Sequence, residues 1–529
     1  MLINKKGYFT MVIQKIKLIN FKRFQNFTII PNNEINIIVG DNEAGKSTVV
    51  EAIDIVANGN IKRIESIGID RLLNIDSIKA FNQGDRNFEK LPKIIVELYL
   101  DKVNDFNLNG KNNTENMLCD GIRLICAPND DFISEINESL QSSMEYFPFD
   151  YYSTRFSTFA DEGYSGYKKK VRTILINNSN INTDLATNDY IRRMYHQYTD
   201  EDIKERAIHK NKYRQLKNGF KNVAFSDLNN RLPKATTYNF GLKIGSSMNL
   251  ENELMIYEND IGIDSKGTGK QVFIKTDFAL ERSGPNIDII LIEEPENHLS
   301  HLNLRKLIRR VVENQNGQLF ITTHNSLVST RLDLQNLLIM HENNRSFPIS
   351  LRDLSDETAK YFLKAPVANV IEFSLSKKNI LVEGPSEYML FEKFYETVTS
   401  KKPEEDNINV MDIHGLSFKR YLEISKLLKN EVIVITDNDK NVERNCISKY
   451  LEYDGLENIK IFFENNPDLY TFEVVFYDSN KVLCDKIFGL NALDYMLLNK
   501  TEAAFQLLNQ NEPITIPSYI REAIEWIRE

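Results

Sequence analysis

The chain has 529 residues, of which 42% are apolar and 26% are charged. This length is too great for one ordinary core and predicts two or three domains, with enough apolar residues to fill them. The apolar runs fall far short of the ~18 residues that a membrane span needs, and no signal peptide is visible. The four cysteines show no CxxC pair, which argues against a structural zinc site and a disulfide framework. We therefore expect a globular, cytoplasmic protein.

The net charge of -10 does not fit a chain that binds nucleic acid over its whole surface, because phosphate binding needs clustered Lys and Arg. Three short basic clusters are candidates for local contacts, namely residues 168–170 with Arg172, residues 377–378 and residues 419–420. Short basic runs are more often solvated surface, so none of these clusters alone identifies a DNA-binding face.

The N-terminal part predicts a strand, a glycine-containing loop and a helix. Residues 1–10 show no periodic pattern, and translation could begin at Met11. Residues 12–19 alternate as a strand does, the apolar run 35–39 leads into the loop, and residues 48–56 read as a helix. This order is the one that a phosphate-binding loop requires.

The loop itself, residues 40–47, fits the pattern GxxxxGK[ST]. In this pattern backbone N–H groups surround the phosphates, Lys46 reaches the β and γ oxygens, and Ser47 ligates magnesium. The dipole of the following helix adds to the attraction. The predicted nucleotide-binding residues of this loop are Gly40, Asn42, Gly45, Lys46, Ser47 and Thr48.

The middle of the chain changes composition. Residues 146–235, rich in Asn, Tyr, Lys and Arg, predict a mainly helical insertion. Strand-like alternation resumes over residues 238–255. The predicted division is an ATPase domain in two parts, residues 11–145 and 236–345, then a linker over 346–376 and a second domain over 377–529.

A second acidic segment belongs to the nucleotide site. The apolar run 287–292 leads to Glu293 and Glu294, and is followed by a predicted helix over 302–313 and a strand over 318–323. Magnesium needs a further carboxylate and the attacking water needs orientation, so we assign Glu293 to the metal and Glu294 to the water. His324 follows the last strand and is placed to sense the γ phosphate, or else is a surface histidine at a strand end.

These motifs resemble the ABC-type ATPases of the RecF, SMC and OLD group, with His324 as the switch histidine and residues 300–303 as the counterpart of the D-loop. Residues 265–271 resemble the signature loop, although they depart from LSGGQ towards GSGxQ. The resemblance implies that Ser265, Gly267 and Gly269 complete the ATP site of a second subunit, and hence a dimer. Glu293 stands where many relatives have Asp, so hydrolysis is expected to be slow or absent.

The C-terminal part predicts a second, smaller α/β unit with strands over 379–382, 408–413 and 432–435. Glu383 follows the first of these strands, and Asp437 and Asp439 follow the third. Alternation along an extended strand end places both aspartates on one side. Oxygen ligands of this kind favour Mg²⁺ or Mn²⁺ over zinc.

This pattern resembles the Toprim domain, which topoisomerases, primases and nucleases share, so the domain alone does not name a reaction. Nucleases of the OLD (overcoming lysogenization defect) family have a further Glu after the aspartate pair and a Lys near the C-terminus, and residues 468–473 and 499–504 resemble those segments. The resemblance implies Glu387 and Glu473 as additional metal ligands and Lys500 as a stabiliser of transition-state charge. The alternative for Glu473 is a solvated helix residue.

The order of ATPase and then Toprim is that of the OLD family, and within it the chain most resembles the nuclease subunits of Gabija anti-phage systems. This resemblance implies an ATP-regulated DNA endonuclease with Mg²⁺ or Mn²⁺, a homodimer or dimer of dimers, and a UvrD-like helicase partner. The alternative is a RecF- or SMC-like DNA-binding ATPase whose Toprim unit is a non-catalytic scaffold. A topoisomerase would need a separate domain with a tyrosine nucleophile, for which no segment is large enough.

Overall fold

The structure is a computed structural model. It describes residues 2–3, 9–101, 105–142, 147–166, 170–177, 191–192, 194–196, 198–199, 202–231, 240, 250–281, 287–297, 299–314, 317–342, 346–365, 369–413, 417–510 and 512–528.

Two compact units divide the chain. The first comprises Met1–Ile38, Gly45–Thr323 and Arg345–Phe347, and the second comprises Val39–Ala44, His324–Asn344 and Pro348–Glu529. Among the described residues, no helix is long and apolar enough to cross a membrane.

The strands of the first unit are β1 (Leu2–Ile3), β2 (Phe9–Thr10), β3 (Ile13–Phe21), β4 (Phe24–Ile29), β5 (Ile35–Gly40), β6 (Ile94–Leu100), β7 (Asn109–Gly110), β8 (Cys119–Pro128), β9 (Tyr152–Thr158), β10 (Thr173–Asn177), β11 (Tyr257–Glu258), β12 (Ile261–Gly262), β13 (Ile289–Glu293) and β14 (Gln318–Thr322). Its helices are α1 (Lys46–Asn58), α2 (Ile61–Ile67), α3 (Ile69–Leu72), α4 (Ile75–Gln83), α5 (Ile133–Ser142), α6 (Ile203–Ala224), α7 (Ser226–Asn230), α8 (Thr268–Glu281) and α9 (His301–Asn314).

One sheet of this unit is antiparallel, in the order β4-β3-β6-β8, with β7 and β9 both paired to β8. In β3 buried residues alternate with partly exposed ones from Ile16 to Ile19, whereas the register of pairing with β6 shifts between Ile13 and Lys15, so the alternation predicted for residues 12–19 holds only in its second half. The alternation arises because successive side chains of a strand point to opposite faces, of which only one is packed on the core.

The other sheet contains four parallel strands in the order β10-β13-β14-β5. All five residues of β13 and all five of β14 are buried, as expected for parallel strands covered on both faces. Glu293, at the end of β13, is in register with Thr322 of β14, and Thr322 is in register with Ile38 of β5. The carboxyl ends of these three strands therefore meet at one edge, which is where ligands bind in such sheets.

The segment predicted as a helical insertion differs from the prediction in its first part. Strands β9 and β10 lie inside residues 146–235, where β9 extends the antiparallel sheet and β10 pairs with β13. A five-residue apolar run such as β10 is too short to show either helical or strand periodicity. Pairing with β13 therefore determines that it forms a strand. The described helical part begins later, and α6 is its main element.

The strand predicted over residues 238–255 lies mostly outside the described residues. Of the part that is described, Leu250–Asn252 forms a 3₁₀ turn, which contradicts the prediction there. Lys168 and Lys169 of the first basic cluster also lie outside the described residues.

The strands of the second unit are β15 (Leu337–Met340), β16 (Ile349–Ser350), β17 (Lys378–Val382), β18 (Ile408–Asp412), β19 (Glu431–Ile435) and β20 (Ile459–Phe462). Its helices are α10 (Ser326–Arg331), α11 (Asp356–Lys364), α12 (Val370–Leu375), α13 (Pro385–Thr399), α14 (Phe418–Leu428), α15 (Phe472–Ser479), α16 (Lys481–Phe488), α17 (Ala492–Leu498), α18 (Lys500–Leu508) and α19 (Ser518–Arg528).

A parallel sheet in the order β18-β17-β19-β20 organises this unit. The three strands predicted from the sequence are confirmed, and β20 is an additional strand. Its core is formed by strand residues such as Ile380 and Ile433 together with Phe394, Phe476 and Ile524 from the surrounding helices. The tight packing fixes the ends of β17 and β19 relative to each other.

The predicted linker over 346–376 is wrong in its described part, since α11 and α12 lie within it. Ser355 caps α11, and the carboxylate of Glu423 accepts hydrogen bonds from the backbone N–H and the hydroxyl of Ser355 at 2.7 and 3.0 Å. Phe373 of α12 is fully buried. Both helices are therefore folded parts of the second unit.

Candidate active sites

Glycines at the phosphate loop are required by close packing. The helix α1 begins at Lys46, and Gly45 before it has a φ of 98°, in the left-handed region. A Cβ atom on Gly45 would lie 2.5 Å from Cζ of Phe24, and one on Gly40 would overlap the carbonyl oxygen of Met340. A side chain at either position would push the loop away from the conformation in which its N–H groups can surround a phosphate.

Within the first unit, the structure brings Ser47 and Glu293 together. Burial raises the pKa of Glu293 to about 7, a hydrogen bond with the side chain of Ser47 opposes this rise, and the charges of Glu51, Glu294 and Asp54 add to it. A buried carboxylate among further acids is relieved by a cation. Ser47 and Glu293 are the residue types that hold magnesium in this setting, so the site fits the predicted Mg²⁺ of a bound nucleotide.

Glu294 is held in a defined orientation. Its φ of 46° is left-handed, and its backbone N–H donates to the carbonyl of Thr322 at 2.9 Å. Asn297 donates to its carboxylate at 2.6 Å. This strained backbone conformation turns the chain sharply at the end of β13. Glu293 and Glu294 therefore do not point to opposite faces, as successive residues of a strand would. The role of Asn297 was missed from the sequence, and its spacing of three residues from Glu294 was the available signal.

The predicted signature loop leads into helix α8. Ser265 is exposed, Gly267 has no atom near the position of an added Cβ, and Gly269 lies in the first turn of α8. The buried side chain of Gln271 donates to the carbonyl of Lys266 at 2.8 Å and so holds the backbone of the loop. The loop therefore presents exposed residues while a buried side chain fixes its position.

His324 is exposed and lies two residues after the end of β14. Asn42 and Thr48 lie on either side of Gly45 in the phosphate loop and at the start of α1. The assignment of all three to nucleotide contacts remains a prediction.

In the second unit, Glu383 follows β17 and Asp437 follows β19. The two strands are adjacent and parallel, so their carboxyl ends meet at one edge of the sheet. The hydroxyl of Thr436 and the backbone N–H of Asp437 both donate to the same carboxylate oxygen of Glu383, each at 3.3 Å. The structure thus brings these predicted site residues together.

Two further acids, both buried, complete a cluster with the partly buried Glu383 and Asp437 at this edge. Glu387 lies in the first turn of α13 and Glu473 in the first turn of α15. Burial raises the pKa of Glu387 well above its usual value, and the charges of Asp437, Glu473 and Glu383 contribute. Burial also raises the pKa of Asp437 to about 8, with contributions from Glu383 and Glu473. We call Glu383, Glu387, Asp437 and Glu473 the acidic cluster.

Lys500 partly neutralises the acidic cluster. Its ammonium group lies 2.9 Å from a carboxylate oxygen of Glu473, which is nearly fully buried, while the lysine side chain is half exposed. Partial burial lowers the pKa of Lys500, but the carboxylates of Glu473, Asp437 and Glu387 outweigh it, so the pKa lies above its usual value. One cation faces four carboxylates, which leaves an excess of negative charge.

The strand alternation from which Asp437 and Asp439 were predicted to share one side does not extend to Asp439. Strand β19 ends at Ile435, and Asp439 has a φ of 46° and is exposed, whereas Asp437 accepts a hydrogen bond from the N–H of Phe472 at 2.8 Å. Alternation holds only within an extended strand. Asp439 is exposed, and its assignment to the metal site remains a prediction.

Two residues at this site were missed from the sequence. Asn438 is 1% exposed, and its amide donates to the carbonyls of Glu464, Asn466 and Leu469 at 2.9 to 3.0 Å, which fixes the chain around Asp437. Tyr519 of α19 is buried, and burial together with the charge of Asp437 raises its pKa well above the usual value. The middle position of Asp-x-Asp was a signal for Asn438, but no local pattern pointed to Tyr519.

The acidic cluster fits a divalent cation by its chemistry. Its donors are all carboxylate oxygens, the ligands that Mg²⁺ and Mn²⁺ prefer. Like charges buried together raise the pKa values of Asp437 and Glu387, which is a cost that a cation would remove. No three such side chains among the described residues are already arranged around one metal position, so binding would require side-chain rotations.

Family models match both parts of the chain. The one described as "AAA ATPase domain" matches residues 11–227, and the one described as "AAA domain, putative AbiEii toxin, Type IV TA system" matches residues 147–331. The one described as "Overcoming lysogenization defect protein-like, TOPRIM domain" matches residues 375–439. The chain combines an AAA-type P-loop ATPase fold with a C-terminal Toprim domain. The predicted fold class is therefore confirmed.

A curated relative is the DNA replication and repair protein RecF of Acetivibrio thermocellus, 29% identical over 97 residues, which are 17% of this chain and 26% of that protein. The chain thus matches about a quarter of the length of that relative. Among solved structures, the SMC head domain of Thermotoga maritima matches with a TM-score of 0.29 and 13% identity, covering 62% of this chain and 94% of the other. The C-terminal region of the Burkholderia pseudomallei OLD protein matches with a TM-score of 0.23 and 17% identity, covering 29% and 97%.

Proposed function

We propose that this ATPase–Toprim protein is an ATP-regulated DNA endonuclease of the OLD type that requires Mg²⁺ or Mn²⁺. The observation that carries the proposal is the acidic cluster at the carboxyl edge of the Toprim sheet, with Lys500 beside it. Carboxylates that repel each other in a partly buried site lower the stability of the folded state, and a non-catalytic scaffold would not require them. The match to an OLD-like Toprim model supports a nuclease over the other reactions of this domain.

The acidic cluster and Lys500 would have different roles in the reaction. Glu383, Glu387, Asp437 and Glu473 would hold the divalent cations, with Asp439 at the exposed margin. When bound, such cations supply a more acidic water and stabilise negative charge on a phosphate. Lys500 is half exposed, so its ammonium group can reach a phosphate oxygen and offset the charge that develops during in-line displacement.

The ATPase part would control this reaction. Ser47 and Glu293 would hold the magnesium of ATP, while Glu294, oriented by Asn297, would position water. His324 would sense the γ phosphate. The exposed signature loop, through Ser265, Gly267 and Gly269, would complete the ATP site of a second copy. The functional form would then be a homodimer or a dimer of dimers, helped by the helical insertion.

The biological setting follows from the resemblance to Gabija nuclease subunits. It would be anti-phage defence in the cytoplasm, with double-stranded DNA as substrate and a UvrD-like helicase as partner. The match to RecF, a DNA replication and repair protein, supports DNA as the ligand of the ATPase part.

The test is cleavage of supercoiled and linear duplex DNA by the wild type and by Asp437→Asn, with Mg²⁺ or Mn²⁺ and with or without ATP. Asp478→Asn is a matched control, because Asp478 is an exposed acid on α15, the helix that carries Glu473. We expect metal-dependent cutting by the wild type and by the control, and none by Asp437→Asn. Equal cutting by Asp437→Asn would refute the proposed catalytic centre.

A second candidate is a RecF- or SMC-like DNA-binding ATPase with the Toprim unit as a non-catalytic scaffold. The observation that favours it is that no three acids among the described residues already surround a metal position. It predicts that the wild type binds DNA and ATP but never cuts DNA with either metal, and that Glu383→Ala changes neither binding reaction.

A further inference from the structure

We propose that the exposed face of helix α6, far along the chain from both sets of catalytic residues, binds the phosphate backbone of double-stranded DNA. This inference rests on the proposed function, since it takes DNA as the ligand, and it names the surface that would hold the duplex. Helix α6 has 22 residues with seven Lys and Arg and one Glu, in a chain whose net charge is -10. Such a local excess is the electrostatic feature of a nucleic-acid contact.

The cations on one side of α6 are already neutralised. Lys210 pairs with the buried Glu251 at 2.7 Å, and Lys217 pairs with Glu253 at 2.9 Å. Glu251 also pairs with His196 at 3.2 Å. These contacts attach α6 to the segment around Leu250–Asn252, so this side of the helix has a structural role.

Three further cations of α6 are not neutralised. Lys204, Lys212 and Arg214 are exposed, and none of them forms an ion pair with a described residue. The helical period of 100° per residue places Lys212 about 80° to one side of Lys204 and Arg214 about 80° to the other, where Arg214 borders the side of Lys210. With a rise of about 1.5 Å per residue, the three charges extend over about 15 Å. That length corresponds to roughly four base pairs at about 3.4 Å each.

The polar residues between these charges also suit a phosphate surface. Asn211, Gln215 and Asn218 are exposed and lie on the same side of α6 as Lys204. Amide side chains commonly donate hydrogen bonds to phosphate oxygens, in addition to the contacts of Lys and Arg. We call Lys204, Asn211, Lys212, Arg214 and Gln215 the basic face.

The basic clusters that the sequence offered as DNA contacts are largely neutralised instead. Lys170 pairs with Glu162 at 2.9 Å, Lys378 with Glu431 at 3.4 Å, and Lys419 with Glu452 at 3.2 Å. Arg420 pairs with Glu357. An ion pair with an acid of the same chain must be broken or shared before a phosphate can bind, so these clusters are weaker candidates than the basic face.

A second copy of the chain is the other candidate to bind the exposed surface of α6. Its apolar residues Leu216, Phe220 and Val223 are exposed on a side next to the basic face. Such a copy would fit that apolar side. Against the basic face it would present the same uncompensated cations, and like charges facing each other oppose association. The charge of the basic face is complementary to DNA and not to a second basic face.

The experiment measures binding of full-length protein to a short labelled duplex by fluorescence anisotropy over a range of salt concentrations, with EDTA present to prevent cleavage. The test variant combines Lys204→Gln, Lys212→Gln and Arg214→Gln. Three lost phosphate contacts should lower the slope of log K against log salt by about 2.7, at about 0.9 per contact, and weaken binding at least about tenfold at moderate salt. A charge-preserving variant, Lys204→Arg with Lys212→Arg and Arg214→Lys, should bind as the wild type does.

The matched control combines Lys62→Gln, Lys93→Gln and Lys111→Gln, which remove the same charge from exposed positions without a described ion pair. It should bind DNA as the wild type does. If the α6 variant has the affinity and salt slope of this control, the inference is wrong. An α6 variant with an unchanged slope but a smaller mass in sedimentation would show that the basic face is instead an interface between copies.

The two proposals fail in different ways. A wild type that cuts DNA while the α6 variant matches the control overturns the inference and leaves the nuclease in place. A wild type that binds DNA through the basic face but never cuts it overturns the proposed nuclease alone. A wild type that neither binds nor cuts duplex DNA overturns both.

Discussion

Replacing Asp437 by Asn should stabilise the metal-free Toprim unit, and more so at high pH. The pKa of Asp437 is about 8 in the folded protein against 3.8 for an ordinary Asp, because the side chain is partly buried and lies near the charges of Glu383 and Glu473. Between these two values the folded state binds the proton more tightly than the unfolded state. The carboxylate therefore removes stability as the pH rises from about 4 to about 8, at about 1.4 kcal/mol per pH unit.

The magnitude can be worked out for two convenient pH values. From pH 6 to pH 8 the free energy of unfolding of the wild type should fall by about 2 kcal/mol relative to that of Asp437→Asn. The fall is smaller than the full slope over two pH units would give, because the folded group begins to ionise near pH 8. Asn has no charge to lose or gain, and its amide oxygen can still accept the hydrogen bond from the N–H of Phe472. The difference in unfolding free energy between the variant and the wild type should thus grow with pH.

The assay is urea unfolding in EDTA, followed by the fluorescence of Trp526. This is the one tryptophan of the sequence, and it lies on α19 in the Toprim unit. Asp478→Asn, which removes an exposed carboxylate from the same unit, is the matched control. A difference for Asp437→Asn that is equal at pH 6 and pH 8 would refute the electrostatic reasoning. Adding Mg²⁺ or Mn²⁺ at pH 8 should raise the stability of the wild type more than that of the variant.

Three further predictions concern single residues. Glu294→Gln should slow ATP turnover about 10²- to 10⁴-fold while ATP binding is retained, as measured by phosphate release and nucleotide titration; lost binding would contradict its assignment to the water. Gly45→Ala should destabilise the ATPase part by about 1–3 kcal/mol in thermal unfolding, because the left-handed φ and the ring of Phe24 oppose a Cβ; unchanged stability would contradict this. Lys500→Met should lower the rate of DNA cleavage about 10²- to 10³-fold with DNA binding unchanged, and Lys500→Arg should restore part of it; full activity of Lys500→Met would exclude the proposed role.

Short continuous motifs were predictable because local sequence determines them. The order of strand, glycine loop and helix around Lys46 requires only neighbouring residues, and the structure reproduces it as β5, the loop and α1. The three Toprim strands were predicted for the same reason, since each is an apolar run followed by a polar residue at its end. Glu383 and Asp437 could be assigned to one edge because parallel neighbouring strands end on the same side.

Other features depended on distant partners. Residues 173–177 form β10 because β13, more than a hundred residues later, provides its hydrogen-bonding partner. The segment predicted as a linker contains α11, whose N-cap residue Ser355 is held by a hydrogen bond to Glu423, far along the chain. Such a distant partner is not visible in the local sequence. Asp439 departs from the alternation rule because the chain turns after Ile435 and its backbone N–H donates to Tyr470.

The sequence by itself determined the type of each part, namely a P-loop ATPase fold and a Toprim domain, and it supplied the candidate side chains for each site. Only the tertiary structure decided how those side chains combine. It places partly buried Asp437 and buried Glu387 in one acidic cluster, pairs Glu473 with Lys500, and leaves Asp439 exposed. The physical reason is that motifs depend on local spacing, whereas burial and electrostatic interactions depend on which distant segments pack together.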